Sequence, residues 1–156
     1  MEIDEWFRVK TFRLAFLVVA LSCLGLVSAR ADSAWLSDFQ KAQAEAKASH
    51  KLLLLDFTGS DWCIWCKKLD AEVFAQPAFQ SYAKDHLVLM TVDFPRRSPL
   101  APEVKKQNEE LAQKYGIQGF PTIVVLNGEG KQVGELGYQP GGASAFVKEL
   151  QKLPKS

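Results

Sequence analysis

Residues that could bind a metal or staple the chain are scarce in this sequence. Its 156 residues include three cysteines and two histidines. A structural zinc site usually takes four Cys or His ligands, and a disulfide-stapled domain needs several cysteine pairs. Cys23 lies in an apolar N-terminal stretch, and His50 and His86 each precede a predicted strand. We therefore expect no metal site, no cofactor, and a core held together without cross-links, which leaves Cys63 and Cys66 free for chemistry.

An excess of charge of either sign is also missing, because the formal net charge is +1. Proteins that associate with nucleic acid or anionic membranes through bulk attraction usually carry a basic surplus. No internal repeat or low-complexity segment appears either. The sequence therefore predicts no nucleic-acid partner, and its length fits one domain with a proper core.

The N-terminus differs from the rest of the chain. A basic flank is followed by the apolar residues 14–27 and then by the small-residue motif Ala29-Arg30-Ala31. This order is typical of a secretory signal peptide. The apolar run is shorter than the roughly 20 residues that a bilayer span needs. The pattern predicts a signal peptide over residues 1–31, cleaved after Ala31, and a mature domain over residues 32–156.

Two alternatives to cleavage remain at this point. An uncleaved segment would act as an N-terminal anchor and would be the only part of the chain in contact with a membrane. A lipid anchor on Cys23 is disfavoured because that cysteine sits inside the apolar run. Cleaved or anchored, the domain is expected to be periplasmic or secreted, with Cys63 and Cys66 as the only cysteines of the mature part.

Hydrophobic periodicity and turn residues predict an alternation of helices and strands. The expected helices cover residues 34–49 (capped by Ser33), 63–85 (interrupted at Pro77), 103–115 and 143–153, and the expected strands cover residues 51–57, 87–94, 122–126 and 131–136. The first strand lacks alternation of apolar and polar residues, which is typical of a strand buried on both faces. Helical crossovers make the first two strands parallel, and Asn127-Gly128-Glu129-Gly130 predicts an antiparallel hairpin. The fold class is α/β, a central mixed sheet with helices on both faces.

The cysteine pair lies in Asp61-Trp62-Cys63-Ile64-Trp65-Cys66, at the start of a predicted helix. Positions i and i+3 share a helix face, so the two sulfurs can form a disulfide. Cys63 is at the helix N-terminus, where free N–H groups lower a thiol pKa, so we expect it to be the nucleophile. Cys66, one turn further on, is expected to be more buried and to resolve the mixed disulfide. The alternatives are half a zinc site, disfavoured by ligand count, and a structural disulfide, whose small loop stabilises little.

Two segments resemble the thioredoxin superfamily over about residues 35–153. The run from Asp56 to Leu69 is similar to the strand, loop and active-site helix of secreted thioredoxin-like domains, including the tryptophan before the first cysteine. The run Tyr115-Gly116-Ile117-Gln118-Gly119-Phe120-Pro121-Thr122 is similar to the family's Gly-hydrophobic-x-Gly-x-Pro-Thr segment. The resemblance implies the thioredoxin fold and thiol–disulfide exchange.

The resemblance also implies roles for individual residues. Pro121 would follow a cis peptide bond beside the sulfurs, and the backbone of Phe120 would pair with a substrate peptide. Asp56 would be a buried carboxylate with a raised pKa that takes the proton from Cys66; the alternative is a strand-end Asp facing solvent. Trp62 would flank the sulfurs as part of the docking surface. Trp65 either contacts a partner or folds back against the domain.

The residues between the cysteines bear on the direction of electron flow. Typical thioredoxins have Gly-Pro there and strong disulfide donors often have Pro-His, whereas this chain has Ile64-Trp65. Without a histidine to stabilise the thiolate, the resemblance implies a reductant or isomerase rather than a strong oxidant. The implied partners are proteins with disulfides or thiols and an upstream redox partner. The alternative function is a redox-active binding or chaperone module that holds a partner protein with little turnover.

Overall fold

The computed structural model describes residues 35–154, and the predicted signal peptide, Cys23 and the Ser33 cap lie outside them. Within this range no helix has the length and apolar character needed to cross a membrane. The helices are α1 (Phe39–Ser49), α2 (Ile64–Leu69), α3 (Pro77–His86), α4 (Pro102–Lys114) and α5 (Gly142–Gln151), and a π-helical segment (Asp70–Phe74) continues α2. The strands are β1 (Leu52–Thr58), β2 (Leu87–Asp93), β3 (Thr122–Leu126) and β4 (Gln132–Leu136).

The four strands form one mixed sheet in the order β2-β1-β3-β4. Strands β1 and β2 are parallel, with Leu52 opposite Leu87. Strand β3 runs antiparallel to β1 and to β4, and places Thr122 opposite Phe57. The predicted parallel pair, the antiparallel hairpin and the α/β fold class are therefore confirmed.

Alternate residues of β1 point to opposite faces of the sheet, and each face has its own core. Leu52 and Leu54 pack with α2, the π segment, α3 and α5. Leu53, Leu55 and Phe57 pack with α1 and α4 on the other face. Because Asp56 has the same parity as Leu52 and Leu54, its side chain points toward the face that carries the cysteine helix.

The first helix begins later than the sequence predicted. It starts at Phe39 rather than at residue 34, because Asp38 caps it by accepting a hydrogen bond from the backbone N–H of Lys41 at 2.8 Å. The preceding segment is extended instead. Leu36 donates to the carbonyl of Leu89 and accepts from the N–H of Thr91, both at 2.9 Å, and so pairs alongside β2. The backbone there is satisfied by strand pairing and does not need a helix.

The helix that carries the cysteines stops before Pro77, as predicted. Pro77 occupies the first position of α3, where its missing N–H costs nothing. Between α2 and α3 the helix continues as the wider π-helical segment, which buries Val73 and Phe74 in the core. The cysteine helix is thereby held on the sheet through its C-terminal half, while its N-terminal end reaches the end of β1.

Candidate active site

A tight turn after β1 brings the cysteine pair to the carboxyl end of the strand. The backbone N–H groups of Trp62 and Cys63 both donate to the carbonyl of Gly59, at 3.2 and 2.8 Å. A Cβ on Gly59 would lie 2.5 Å from the indole of Trp62, so this position needs a glycine for the indole to pack onto the turn. The turn therefore fixes both the entry to α2 and the position of Trp62.

Cys63 and Cys66 form a disulfide, with their Cα atoms 5.3 Å apart. Cys63 is the N-cap of α2, and its Sγ accepts a hydrogen bond from the backbone N–H of Cys66 at 3.1 Å. Cys66 was expected to be the more buried residue, and this is wrong. The two cysteines are 5% and 6% exposed and are therefore equally buried.

On one side of the disulfide lies an aromatic cluster. Trp62 donates through Nε1 to the carbonyl of Phe94 at 2.8 Å and meets Phe120 edge to face, with ring centroids 5.8 Å apart. Phe120 also packs on Phe94 at 5.3 Å. The Phe120–Pro121 bond is cis, as the resemblance implied. The structure thus brings Trp62 and Phe120 together and places Pro121 at the start of β3, on the same end of the sheet as the cysteine turn.

The two residues between the cysteines are both exposed. Ile64 is 77% exposed and Trp65 is 55% exposed. One face of Trp65 packs on Tyr138, with ring centroids 5.3 Å apart, and Lys68 Nζ lies over both rings. Tyr138 is held in turn by donating to Glu72 Oε2 at 2.7 Å. Trp65 therefore packs against the domain and remains half exposed, and its contact with a partner stays a prediction.

Asp56 lies behind Cys66. Both residues line a cavity of about 360 Å³ beneath the cysteine helix. Asp56 Oδ1 is inaccessible and has no hydrogen-bond partner within residues 35–154. This burial, together with the nearby carboxylates of Asp70 and Asp93, raises the pKa of Asp56 to about 7. The side chain is thus directed inward, and the solvent-facing alternative does not describe it.

The loop after β2 is connected to the site, and the sequence did not predict this connection. Asp61 accepts hydrogen bonds from the backbone N–H groups of Arg96 and Arg97, at 3.0 and 2.6 Å. The bond from Arg96 is the main cause that lowers the pKa of Asp61. The Arg96 guanidinium lies 3.8 Å above the Trp62 ring. No local pattern joins positions that lie 35 residues apart, so only the fold reveals this contact.

The histidines take structural positions. His50 ends α1 with a left-handed backbone, φ 55°, and donates its N–H to carbonyls of the last turn. The ring of His86 packs on Tyr82 at 4.5 Å. Among residues 35–154, no group of three or more His, Cys, Asp or Glu is arranged to hold a metal ion.

Comparison with known proteins yields several close relatives. The chain is 37% identical to the disulfide bond reductase DsbH of Chlamydia pneumoniae over 127 residues, which cover 81% of this chain and 76% of that protein. It is 33% identical to the thiol:disulfide interchange protein DsbD of Photorhabdus laumondii, covering 72% of this chain but 18% of that longer protein. A solved structure of a DsbH oxidoreductase superposes with a TM-score of 0.71 at 36% identity, covering 77% of this chain and 85% of the other.

A family model matches as well. The model of the thioredoxin-like domain covers residues 39–153, which is nearly all of the described range and includes both cysteines and Pro121. The sheet order, the Cys-x-x-Cys disulfide at the start of α2 and the relatives agree with it. The chain belongs to the thioredoxin-like family and is a thiol–disulfide oxidoreductase of that family.

Proposed function

We propose that the domain reduces or isomerises protein disulfides, with Cys63 as the nucleophile and Cys66 as the resolving thiol. The observation that carries this assignment is the hydrogen bond from the Cys66 N–H to Cys63 Sγ at the N-terminus of α2. That donor, together with the helix dipole, favours a thiolate at Cys63 over one at Cys66. Cys66 lies one turn inside the helix and lines the cavity that also contains Asp56.

The reaction then proceeds in two balanced steps. The Cys63 thiolate attacks one sulfur of a substrate disulfide, which forms a mixed disulfide and releases the other substrate sulfur as a thiolate. The Cys66 thiolate attacks Cys63 Sγ, which closes the Cys63–Cys66 disulfide and releases the second substrate thiol. The substrate gains two electrons and the domain loses them, so an upstream dithiol must reduce the domain again.

Asp56 is proposed to accept the proton of Cys66 before the second step. The carboxyl and the cysteine line one cavity, and a pKa of about 7 lets the group exchange a proton near neutral pH. Its unpartnered Oδ1 leaves room for that proton. Asp56 would thus act on Cys66 and not on the substrate.

The substrate is proposed to dock across the exposed and partly exposed side chains around the disulfide. Trp62 and Phe120 form a rigid wall on one side, and Trp65 presents a half-exposed face on the other. Pro121 sits at the start of β3, where the backbone of Phe120 can pair with an extended peptide. Large, rigid aromatic side chains supply contact area at low entropic cost.

The direction of electron flow is proposed to be reductive. Neither Ile64 nor Trp65 can become a cation, so neither can stabilise a Cys63 thiolate as a protonated histidine would. The relatives include a protein named disulfide bond reductase and proteins named thiol:disulfide interchange protein. Because this chain spans less than a fifth of the DsbD protein, the activity of that longer protein is not transferred as a whole.

Turnover of insulin disulfides by the mature domain, with a chemical or enzymatic reductant, tests the function. Insulin reduction well above the rate of the reductant alone is expected. An absence of turnover with either reductant, combined with tight retention of thiol-bearing proteins, would instead support the redox-active binding module.

We also propose that residues 1–31 are a signal peptide and that residues 32–156 work outside the cytoplasm, in the periplasm or after secretion. The basic flank, the apolar run of residues 14–27 and the Ala29-Arg30-Ala31 motif support this proposal. Mass spectrometry of the protein recovered from bacterial cell fractions tests it. A mature N-terminus at Asp32 in the exported fraction is expected, and a full-length chain confined to the cytoplasm would contradict it.

A further inference from the structure

The loop after β2 places two arginines beside the turn that precedes Cys63. Arg96 and Arg97 are both exposed, and the Arg96 guanidinium stacks 3.8 Å above the Trp62 ring. The Trp62 indole packs on Gly59 and donates to the carbonyl of Phe94, so the ring under the guanidinium is fixed in place. A guanidinium that stacks on an indole keeps its N–H groups pointing outward, available to a carboxylate.

The loop itself is held to the active-site turn. Asp61, two residues before Cys63, accepts backbone N–H groups from Arg96 and Arg97. Asp93, at the end of β2, accepts both the N–H and the hydroxyl of Ser60, at 2.9 and 2.6 Å. These bonds anchor the backbone at the two arginines to the active-site turn, and the stack on Trp62 positions the Arg96 side chain.

Three carboxylates near the active-site turn and α2, those of Asp61, Asp93 and Glu72, are engaged inside the domain, whereas the guanidinium groups of Arg96 and Arg97 are not. Asp61 and Asp93 are occupied by the donors just named, and Glu72 accepts from Tyr138 and lies 3.8 Å from Lys68. Neither Arg96 nor Arg97 pairs with a carboxylate of residues 35–154. Lys67 is also exposed; it lies in α2, and its Nζ donates to the carbonyl of Asp61 at 3.3 Å. Next to Trp62, the cations Arg96, Arg97 and Lys67 therefore outnumber the carboxylates of Asp61 and Asp93. The guanidinium N–H groups remain available to a ligand.

We propose that this rim, formed by Arg96, Arg97 and Lys67 and hereafter called the cationic rim, selects substrate disulfides whose cysteine is flanked by acidic residues. The inference rests on the proposed disulfide-reducing function and adds the substrate class to it. An acidic side chain next to the target cysteine accepts from the Arg96 guanidinium while the sulfur meets Cys63. Charge complementarity of this kind favours encounter and fixes the register of the peptide.

The effect is expected to be moderate and sensitive to salt. The rim is solvent-exposed, and an exposed ion pair changes binding by roughly two- to fivefold. Two or three such contacts give a preference on the order of tenfold for an acidic over a basic flank at low ionic strength. At about 1 M salt the preference should largely disappear, because the screening length there is only about 3 Å.

Three synthetic peptide disulfides, alike except for Asp, Ser or Lys on both sides of the cysteine, test the proposal. The readout is the ratio of kcat/KM for the Asp-flanked and Lys-flanked substrates. Arg96→Gln should lower this ratio about threefold, and Arg96→Glu should bring it to one or below. Lys131→Gln is the matched control, because Lys131 is an exposed cation beyond Leu126, and Leu126 pairs with Leu53 near the opposite end of β1. It should leave the ratio unchanged.

The outcomes separate the two proposals. Reduction of the Ser-flanked peptide with no preference between Asp and Lys flanks would overturn the cationic rim and leave the proposed function intact. The cationic rim would also be overturned if Lys131→Gln lowered the ratio as much as Arg96→Gln does. Reduction of none of the three peptides, with insulin also unreduced, would overturn the proposed function and the rim with it.

Discussion

Replacement of Cys63 by serine is expected to reduce disulfide exchange to the background rate of the reductant. A serine hydroxyl remains protonated near neutral pH and cannot attack a disulfide sulfur, and Cys66 lacks the N–H donor that Cys63 Sγ receives. The measurement is turnover of insulin or of a peptide disulfide by the variant. Because the variant cannot form the Cys63–Cys66 disulfide, it needs a control that loses the same bond.

Cys66→Ser is that matched control. It removes the same disulfide but keeps the attacking thiol, so it should form mixed disulfides with substrates and fail to release them. These adducts are seen on non-reducing gels and identified by mass spectrometry. Adducts that accumulate on Cys66 in the Cys63→Ser variant, with none on Cys63 in the Cys66→Ser variant, would reverse the assigned roles.

Asp56→Asn is expected to remove a loss of stability, of several kcal/mol, that the unsubstituted domain undergoes as the pH rises. The pKa of Asp56 is about 7 in the folded domain and about 3.8 in the unfolded chain. Below pH 3.8 the carboxyl is protonated in both states and the shift contributes nothing. As the pH rises toward 7, the unfolded state ionises while the folded state keeps its proton, so the free energy of unfolding falls. Above that pH the free energy of unfolding has fallen by its full amount, about 4 kcal/mol.

The neutral amide of Asp56→Asn cannot ionise, so the variant should escape this loss. Relative to the unsubstituted oxidised protein, its free energy of unfolding should rise by about 4 kcal/mol between about pH 4 and about pH 8. Urea unfolding across that range gives the difference. Asp85→Asn, on the exposed surface of α3, controls for the loss of a carboxylate elsewhere. A stability difference that stays flat with pH would contradict the raised pKa and, with it, the proton-accepting role of Asp56.

Local signals predicted most of the fold. The buried run of leucines predicted β1, the Asn127-Gly128 turn predicted the β3–β4 hairpin, and Pro77 marked the start of α3, each because one residue type limits the backbone nearby. The predicted start of α1 was wrong because strand pairing of Leu36 with β2 is a long-range interaction. Periodicity within one helix cannot report a competitor that lies more than 50 residues away.

In the site, too, local features were predicted from the sequence and long-range contacts were not. The spacing of Cys63 and Cys66 predicted their disulfide, and the thioredoxin-like motif implied the cis bond at Pro121. The equal burial of the two cysteines and the stack of Arg96 on Trp62 were missed, because both depend on how separate segments meet. The inward direction of Asp56 follows from strand parity once the faces of β1 are known.

The reduction potential of the Cys63–Cys66 couple tests the central claim most directly, namely that this pair is a substrate-reducing dithiol. Equilibration of the mature domain with glutathione buffers, followed by quantification of the two redox states, gives the value. The only donor to Cys63 Sγ found within residues 35–154 is the Cys66 N–H, and Ile64 and Trp65 add none, so the reduced form gains little extra stability. We predict a potential near the thioredoxin value of about −270 mV, and a value near the about −120 mV of a strong oxidant would contradict the claim.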